Sequence, residues 1–186
     1  MKKCTVWFLC FLLLTGCSKL PEEITVGMEL RSKLLQAESC SFEAEVTADY
    51  GDRIQPFVIQ CITDPTGDIT FTVVKPDSIS GISGKLTGEG GKLTFDETAL
   101  HFELMAEEQL SPISAPWILM NTLRKGYITS VCRENNAIRL SLDDSFNENP
   151  LQLDIWLDSK NNPEKADILY DGRRTLSLNV INFEIL

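Results

Sequence analysis

His101 is the one imidazole in the chain, and general base or nucleophilic chemistry would need a nucleophile and an orienting acid converging on it. Neither a GxSxG elbow nor a Cys/His pairing accompanies it. The alternation around it sets His101 with Ala99, Glu103 and Met105, opposite Leu100, Phe102 and Leu104, so it reads as a solvent-facing strand residue. The acid pairs Asp143-Asp144 and Glu107-Glu108 could serve acid/base catalysis, but neighbouring strand residues point to opposite faces, and they read as solvated loop charges. Asp158-Ser159-Lys160-Asn161-Asn162 opens like a calcium loop. It has Lys160 where an acid should stand, no glycine at the sixth place and no glutamate at the twelfth. Gly81, Gly84, Gly88, Gly90 and Gly91 lack the helix start with Lys-Ser/Thr that a phosphate cradle requires. These residues predict no enzyme, no cofactor and no metal site.

The thiols remain. Six cysteines are present, and three of them, Cys4, Cys10 and Cys17, fall in or at the end of an N-terminal apolar run. Met1-Lys2-Lys3 is a short positive start, Val6 to Leu14 an apolar stretch, and Thr15-Gly16-Cys17 a small-residue stop, the layout of a signal peptide. About ten apolar residues are too few to span a hydrocarbon core, which needs roughly 20. Leu14-Thr15-Gly16-Cys17 resembles the bacterial lipobox. That resemblance implies diacylglycerol on the Cys17 sulfur and cleavage before it, with palmitate-class acyl chains holding the chain at a membrane. Each buried methylene contributes about 0.8 kcal/mol to such an anchor. The expected organisation is a lipoprotein signal peptide over 1–16, lipidated Cys17 and a short tether over 17–21, and one domain over 22–186. The expected location is extracytoplasmic, on the outer face of the cytoplasmic membrane.

Loss of residues 1–16 removes Lys2 and Lys3 and no acid, which moves the net charge from −10 to −12. Such a balance argues against nucleic acid or an anionic lipid face as partner, since both reward clustered Lys and Arg. Of the three remaining thiols, Cys40 and Cys61 come nearly opposite when the chain is reflected about Gly51-Asp52, which makes them a candidate disulfide. Three buried thiols packing as small hydrophobes, with Cys132, fit equally well.

These residues need elements to hold them. Pro21 to Ser39 reads as the one long helix, with Ile24, Met28, Leu34 and Leu35 as its apolar stripe. From Cys40 the period becomes two: Phe42, Ala44, Val46, Ala48 and Tyr50 alternate with polar residues. Gly51-Asp52 and Asp64-Pro65-Thr66-Gly67 are turns, leading to strands with Phe57, Ile59 and Cys61, then Ile69, Phe71 and Val73, which ends at Lys75-Pro76. Pro112 and Pro116 frame a short helix over Trp117 to Leu123 that is apolar all round and must be buried. Further strands carry Leu153 and Ile155, and then Leu176, Leu178 and Val180. In that last strand the apolar phase slips to Ile181, Phe183 and Ile185, which predicts a bulge or a sheet corner near Val180-Ile181. The sum is a mainly β fold: a strongly curved antiparallel half-barrel of about eleven strands, one long N-terminal helix and one short inserted helix.

One curved face gathers Phe42, Val46, Tyr50, Phe57, Ile59, Phe71, Val73, Phe102, Leu104, Leu153 and Ile155. With Trp117 on the inserted helix as cover, these are the candidate binders of a hydrophobic ligand. The same residues also suit a core that the helices simply fill. Both readings stand at this point.

Three stretches in order along the chain resemble the Lol lipoprotein-carrier superfamily and its mycobacterial lipoprotein relatives. They are Phe71-Thr72-Val73-Val74-Lys75-Pro76, Gly90-Gly91-Lys92-Leu93-Thr94-Phe95, and Ser114-Ala115-Pro116-Trp117-Ile118-Leu119-Met120. The resemblance implies an eleven-stranded half-barrel whose cavity receives acyl chains under a helical lid. It departs from the carriers at Lys75, where an arginine fork often stands, and in its lipid anchor. Anchored relatives, including clostridial spore-germination lipoproteins, use the fold to hold proteins. Two functions are therefore expected side by side. One is an anchored protein binding a lipid or lipoprotein acyl chain, in lipid or lipoprotein trafficking. The other is a non-catalytic scaffold binding an envelope protein through an outer sheet face, where the alternation places Trp156.

Overall fold

The computed structural model describes residues 22–51, 54–95, 98–103, 105–106, 109–134, 137–146 and 150–186. Helix α1 (Glu22–Gln36) precedes strands β1 (Cys40–Asp49), β2 (Ile54–Thr63), β3 (Ile69–Lys75), β4 (Ser83–Thr87), β5 (Gly90–Phe95) and β6 (Thr98–Phe102). A two-stranded ribbon of β7 (Met105–Ala106) and β8 (Gln109–Leu110) leads through a 3-10 turn to α2 (Ala115–Lys125). Strands β9 (Tyr127–Glu134), β10 (Ala137–Asp143), β11 (Gln152–Leu157), β12 (Pro163–Tyr170) and β13 (Arg173–Ile185) follow. Eleven of these strands form one open, curved antiparallel sheet in the order β6-β5-β4-β3-β2-β1-β13-β12-β11-β10-β9. The mainly β architecture expected from the sequence is the one observed.

Alternation decides the two faces. In β1, Phe42, Ala44, Val46 and Ala48 are buried on the concave side, while Glu45 and Thr47 are exposed. The same parity buries Ile69, Phe71 and Val73 in β3, Leu153 and Ile155 in β11, and Leu176 and Leu178 in β13. The phase slip in β13 is a bulge. Ser41 pairs with Glu184 and Glu43 with Ile181, so β13 carries one more residue than β1 between them, and Asn182 there has φ 53°. Past that bulge Phe183 and Ile185 reach the core in place of even-numbered residues.

Three expectations are corrected. The face that α1 turns to the sheet is Gly27, Leu30 and Leu34, with Val26 beside it, whereas Met28 and Leu35 are 50% and 53% exposed. The reason is close approach: a Cβ on Gly27 would lie 3.2 Å from the Leu140 side chain and 3.3 Å from that of Ile128. A glycine therefore marks the contact stripe, and apolar counting missed it. Leu100, expected inside, is 63% exposed because β6 is an edge strand that neither helix covers. Cys40 and Cys61 are free thiols. Cys40 pairs with Thr63 and Cys61 with Phe42, so the two sulfurs sit diagonally, at a separation wider than the roughly 3.8 Å between Cβ atoms that a disulfide needs. Thr63 instead accepts the Cys40 backbone N–H on its hydroxyl at 2.9 Å.

Helix α2 lies over the concave face. Pro116 suits its first turn, and Ile118, Leu119, Met120 and Leu123 are all buried. Burial of each contributes roughly 2 kcal/mol. Polar ties fix its C-terminal end. Arg31 of α1 donates through Nε to the Leu123 carbonyl at 2.8 Å and through Nη2 to that of Gly126 at 2.7 Å. Arg124 of α2 donates to the Pro65 carbonyl at 2.6 Å, across the β2–β3 turn.

Candidate functional site

On the concave face the side chains expected to bind a ligand meet one another. Phe42, Val46, Ile59, Phe71, Val73, Leu153 and Ile155 are between 0% and 4% exposed. They belong to one buried cluster that includes residues of both helices. Tyr50, Phe57 and Trp117 are partly buried and pack on the same core; the Tyr50 hydroxyl donates to the Leu110 carbonyl at 3.3 Å. Trp117 faces the β4–β5 hairpin, where a Cβ on Gly88 would come within 3.7 Å of its ring. Cys17 and Leu104 lie outside the described residues, as does the side chain of Phe102. Cys40 and Cys61 belong to this packed layer. Burial pushes both thiols up, and for Cys40 it outweighs the Thr63 hydrogen bond and the nearby Arg124 charge.

The outer face is built from the other parity. Register brings Cys132, Arg139, Trp156, Lys165, Asn179 and Glu45 into one row across β9, β10, β11, β12, β13 and β1. Trp156 is fixed at the middle of it. Its indole N–H donates to Glu134 Oε2 at 3.0 Å, and the Lys165 ammonium stands 4.6 Å from the ring centroid. Arg139 pairs with Glu134 at 3.2 Å. In the adjacent row Asp154 and Asp167 are direct cross-strand partners, an arrangement that repels. Arg139 at 4.0 Å from Asp154, and Arg174 and Lys165 at 3.4 and 3.8 Å from Asp167, offset the repulsion. Beside Trp156 lies a depression of about 470 Å³, lined by Glu134, Glu164, Lys165, Asn179 and Ile181 among others.

At the other edge of the sheet, Lys85, Lys92 and His101 are consecutive partners across β4, β5 and β6 on the outer side. His101 is exposed there, as its alternation predicts. Lys85 is held by Asp68 at 2.8 Å and Asp64 at 3.5 Å. Among the described residues no group of three or more His, Cys, Asp or Glu could hold a metal ion, and no helix is long and apolar enough to cross a membrane.

Sequence reasoning placed Trp156 on the outer face by parity and marked Ile181 only as the start of a phase slip; it singled out neither Glu134 nor Glu164. Their convergence depends on β13 lying between β12 and β1, an adjacency that no local pattern announces.

No family model and no curated protein matches the chain. Among solved structures it is similar to a LolA superfamily protein of Nitrosomonas europaea, with a TM-score of 0.44 and 7% identity over 86% of this chain and 93% of that one. It is also similar to the lipoprotein LppX of Mycobacterium tuberculosis, with a TM-score of 0.41 and 9% identity over 87% and 92%. A third is the structure of the CwlD amidase from Clostridioides difficile in complex with the GerS lipoprotein, with a TM-score of 0.47 and 14% identity over 91% and 99%. The likeness is one of layout, and no function follows from it.

Proposed function

We propose that this chain is a non-catalytic, lipid-anchored protein of the bacterial cell envelope that holds another envelope protein on the outer face of its sheet, around Trp156. Residues 1–16 act as the signal peptide, Cys17 carries the diacylglycerol, 17–21 are the tether and 22–186 the binding domain at the outer face of the cytoplasmic membrane. The observation that supports the outer face is the filling of the concave one: seven of the candidate ligand-binding side chains are at most 4% exposed. Displacing α2 to admit an acyl chain would expose four large apolar residues, at roughly 2 kcal/mol each, and break the Arg31 and Arg124 ties. An aromatic ring framed by charged residues suits protein recognition, because indole anchors contribute much of the energy at such surfaces.

A second reading, a lipid or lipoprotein acyl chain bound under α2, is favoured by the 63% exposure of Leu100 at the uncovered β6 edge. Native mass spectrometry of the chain with Cys17→Ala, followed by solvent extraction, separates the two. A bare polypeptide that takes up no added lipid fits the outer-face reading. A co-purified acyl species that is lost in a folded Trp117→Glu variant overturns it in favour of the second. Trp156→Ala should keep the fold, at a cost of about 1–2 kcal/mol, and lose the partner.

A further inference from the structure

The bulge in β13 shapes the outer face into a trough with a definite charge. On one side of it is the depression beside Trp156. On the other is a second, of about 410 Å³, lined by Glu43, Ile62, Asn182 and Glu184 among others. The two adjoin at Ile181 and Asn182, where Ile181 is the cross-strand partner of Glu43. Their linings hold Glu43, Glu164 and Glu184 beside Lys165, together with Glu134, which is already paired with Arg139. Apolar surface runs between these acids: Trp156 and Ile181 are partly exposed and Ile62 is 57% exposed.

A second set of polar side chains lies elsewhere. Lys92 and His101 have no ion-pair partner among the described residues, and they stand on β5 and β6, with Lys85 on β4. The glutamates of the outer face thus gather on β9, β12, β13 and β1, whereas the depression toward β6 mixes Lys85, Lys92 and His101 with Glu89 and Glu103. An apolar strip ringed by one sign of charge is a matched surface for a partner bearing the opposite sign around an apolar side chain.

We propose that the trough at the β13 bulge takes a basic protein surface, in which an apolar side chain seats against Trp156 and Ile181 while Lys or Arg residues face Glu43, Glu164 and Glu184. This inference rests on the outer-face docking reading and names the partner's chemistry. An anionic lipid surface is repelled by the same glutamates. A second copy of this chain offers Lys92, but Glu89 and Glu103 line the same depression and would meet the trough's own glutamates.

The test places a photoreactive benzophenone amino acid at Ile181 of the full chain and cross-links it in intact cells of the native host. The adduct's cross-linked peptide is identified by mass spectrometry. Yield is compared in three backgrounds: unchanged, Glu43→Lys with Glu184→Lys, and Lys85→Glu with Lys92→Glu. The expected result is an adduct with a Lys- or Arg-flanked segment of another protein, about tenfold weaker in the first double variant and unchanged in the second. Circular dichroism of each purified variant confirms the fold. An adduct that ignores the glutamate reversal overturns the charge inference and leaves the docking reading standing. An adduct with a second copy overturns the proposed partner. Absence of any adduct in a correctly folded chain overturns both.

Discussion

Arg31 joins the two helices, and removing its guanidinium should loosen α2 before the rest of the fold. It makes two charge-assisted hydrogen bonds, at 2.8 and 2.7 Å, to carbonyls at the C-terminal end of α2. Bonds of this kind contribute about 1.5–3 kcal/mol each, and a cation at a helix C-terminus adds about 0.3–1 kcal/mol. Water can reach part of this half-buried site, which sets the expected loss for Arg31→Met at about 3 kcal/mol, since Met keeps the packing of the stem. For a chain of this size that corresponds to a fall in Tm of about 6–12 °C. Arg31→Lys keeps a point charge without the fork and should recover less than half. The assay is thermal unfolding in a Trp7→Phe, Trp156→Phe background, with Trp117 fluorescence reporting on α2 and far-ultraviolet circular dichroism on the sheet. The Trp117 transition should precede the dichroism transition in Arg31→Met. A variant within about 0.5 kcal/mol of the parent, or with the two transitions coincident, refutes the claim that these bonds hold α2 in place.

Gly84→Ala should destabilise by about 3 kcal/mol in urea unfolding. The added Cβ would overlap the Lys92 carbonyl oxygen and lie 2.8 Å from the Phe71 ring, and neither can withdraw. Asp64 organises the β2–β3 turn by accepting from the backbone N–H groups of Thr66, Gly67 and Asp68. Burial acts to raise its carboxyl, but the Thr66 hydroxyl, those N–H groups and Lys85 together leave it below the ordinary value of 3.8. Its contribution is therefore complete above pH 3.8 and is lost as pH falls through the depressed folded value. Asp64→Ala should lower stability at pH 7 and remove that part of the acid dependence, as read by denaturant titration at pH 7 and below pH 3. In the folded chain a thiol reagent should label Cys132 while Cys40 and Cys61 stay unlabelled, and mild oxidation should yield no peptide joining Cys40 to Cys61.

What could be read from the sequence was what repeats locally. The unbroken alternation from Phe42 to Ala48 marks β1 and its two faces because a strand's side chains alternate with period two. The double proline and apolar run around Trp117 mark a buried helix for the same kind of reason. Where contact depends on what lies opposite, the reading failed. The stripe of α1 that packs includes Gly27, chosen by the Leu140 and Ile128 side chains it meets. The candidate Cys40–Cys61 bridge came from reflecting the hairpin about the right turn, but the true partner of Cys40 is two residues away, at Thr63. The outer trough was half visible, since parity gives Trp156 its face. Ile181 and the glutamates reach it only through the sheet order and through a bulge whose size no pattern states.

The pairing of β1 with β13 sets a schedule for the chain's biogenesis. Strands β1 to β6 form one run of hairpin neighbours and β9 to β13 another, and the seam between them joins residues such as Glu45 and Asn179, 134 positions apart. Contacts at such separation form late, because a long loop must close before they return any stabilisation. The central seam of the sheet therefore closes only when β13, the last strand of the chain, is available to pair with β1.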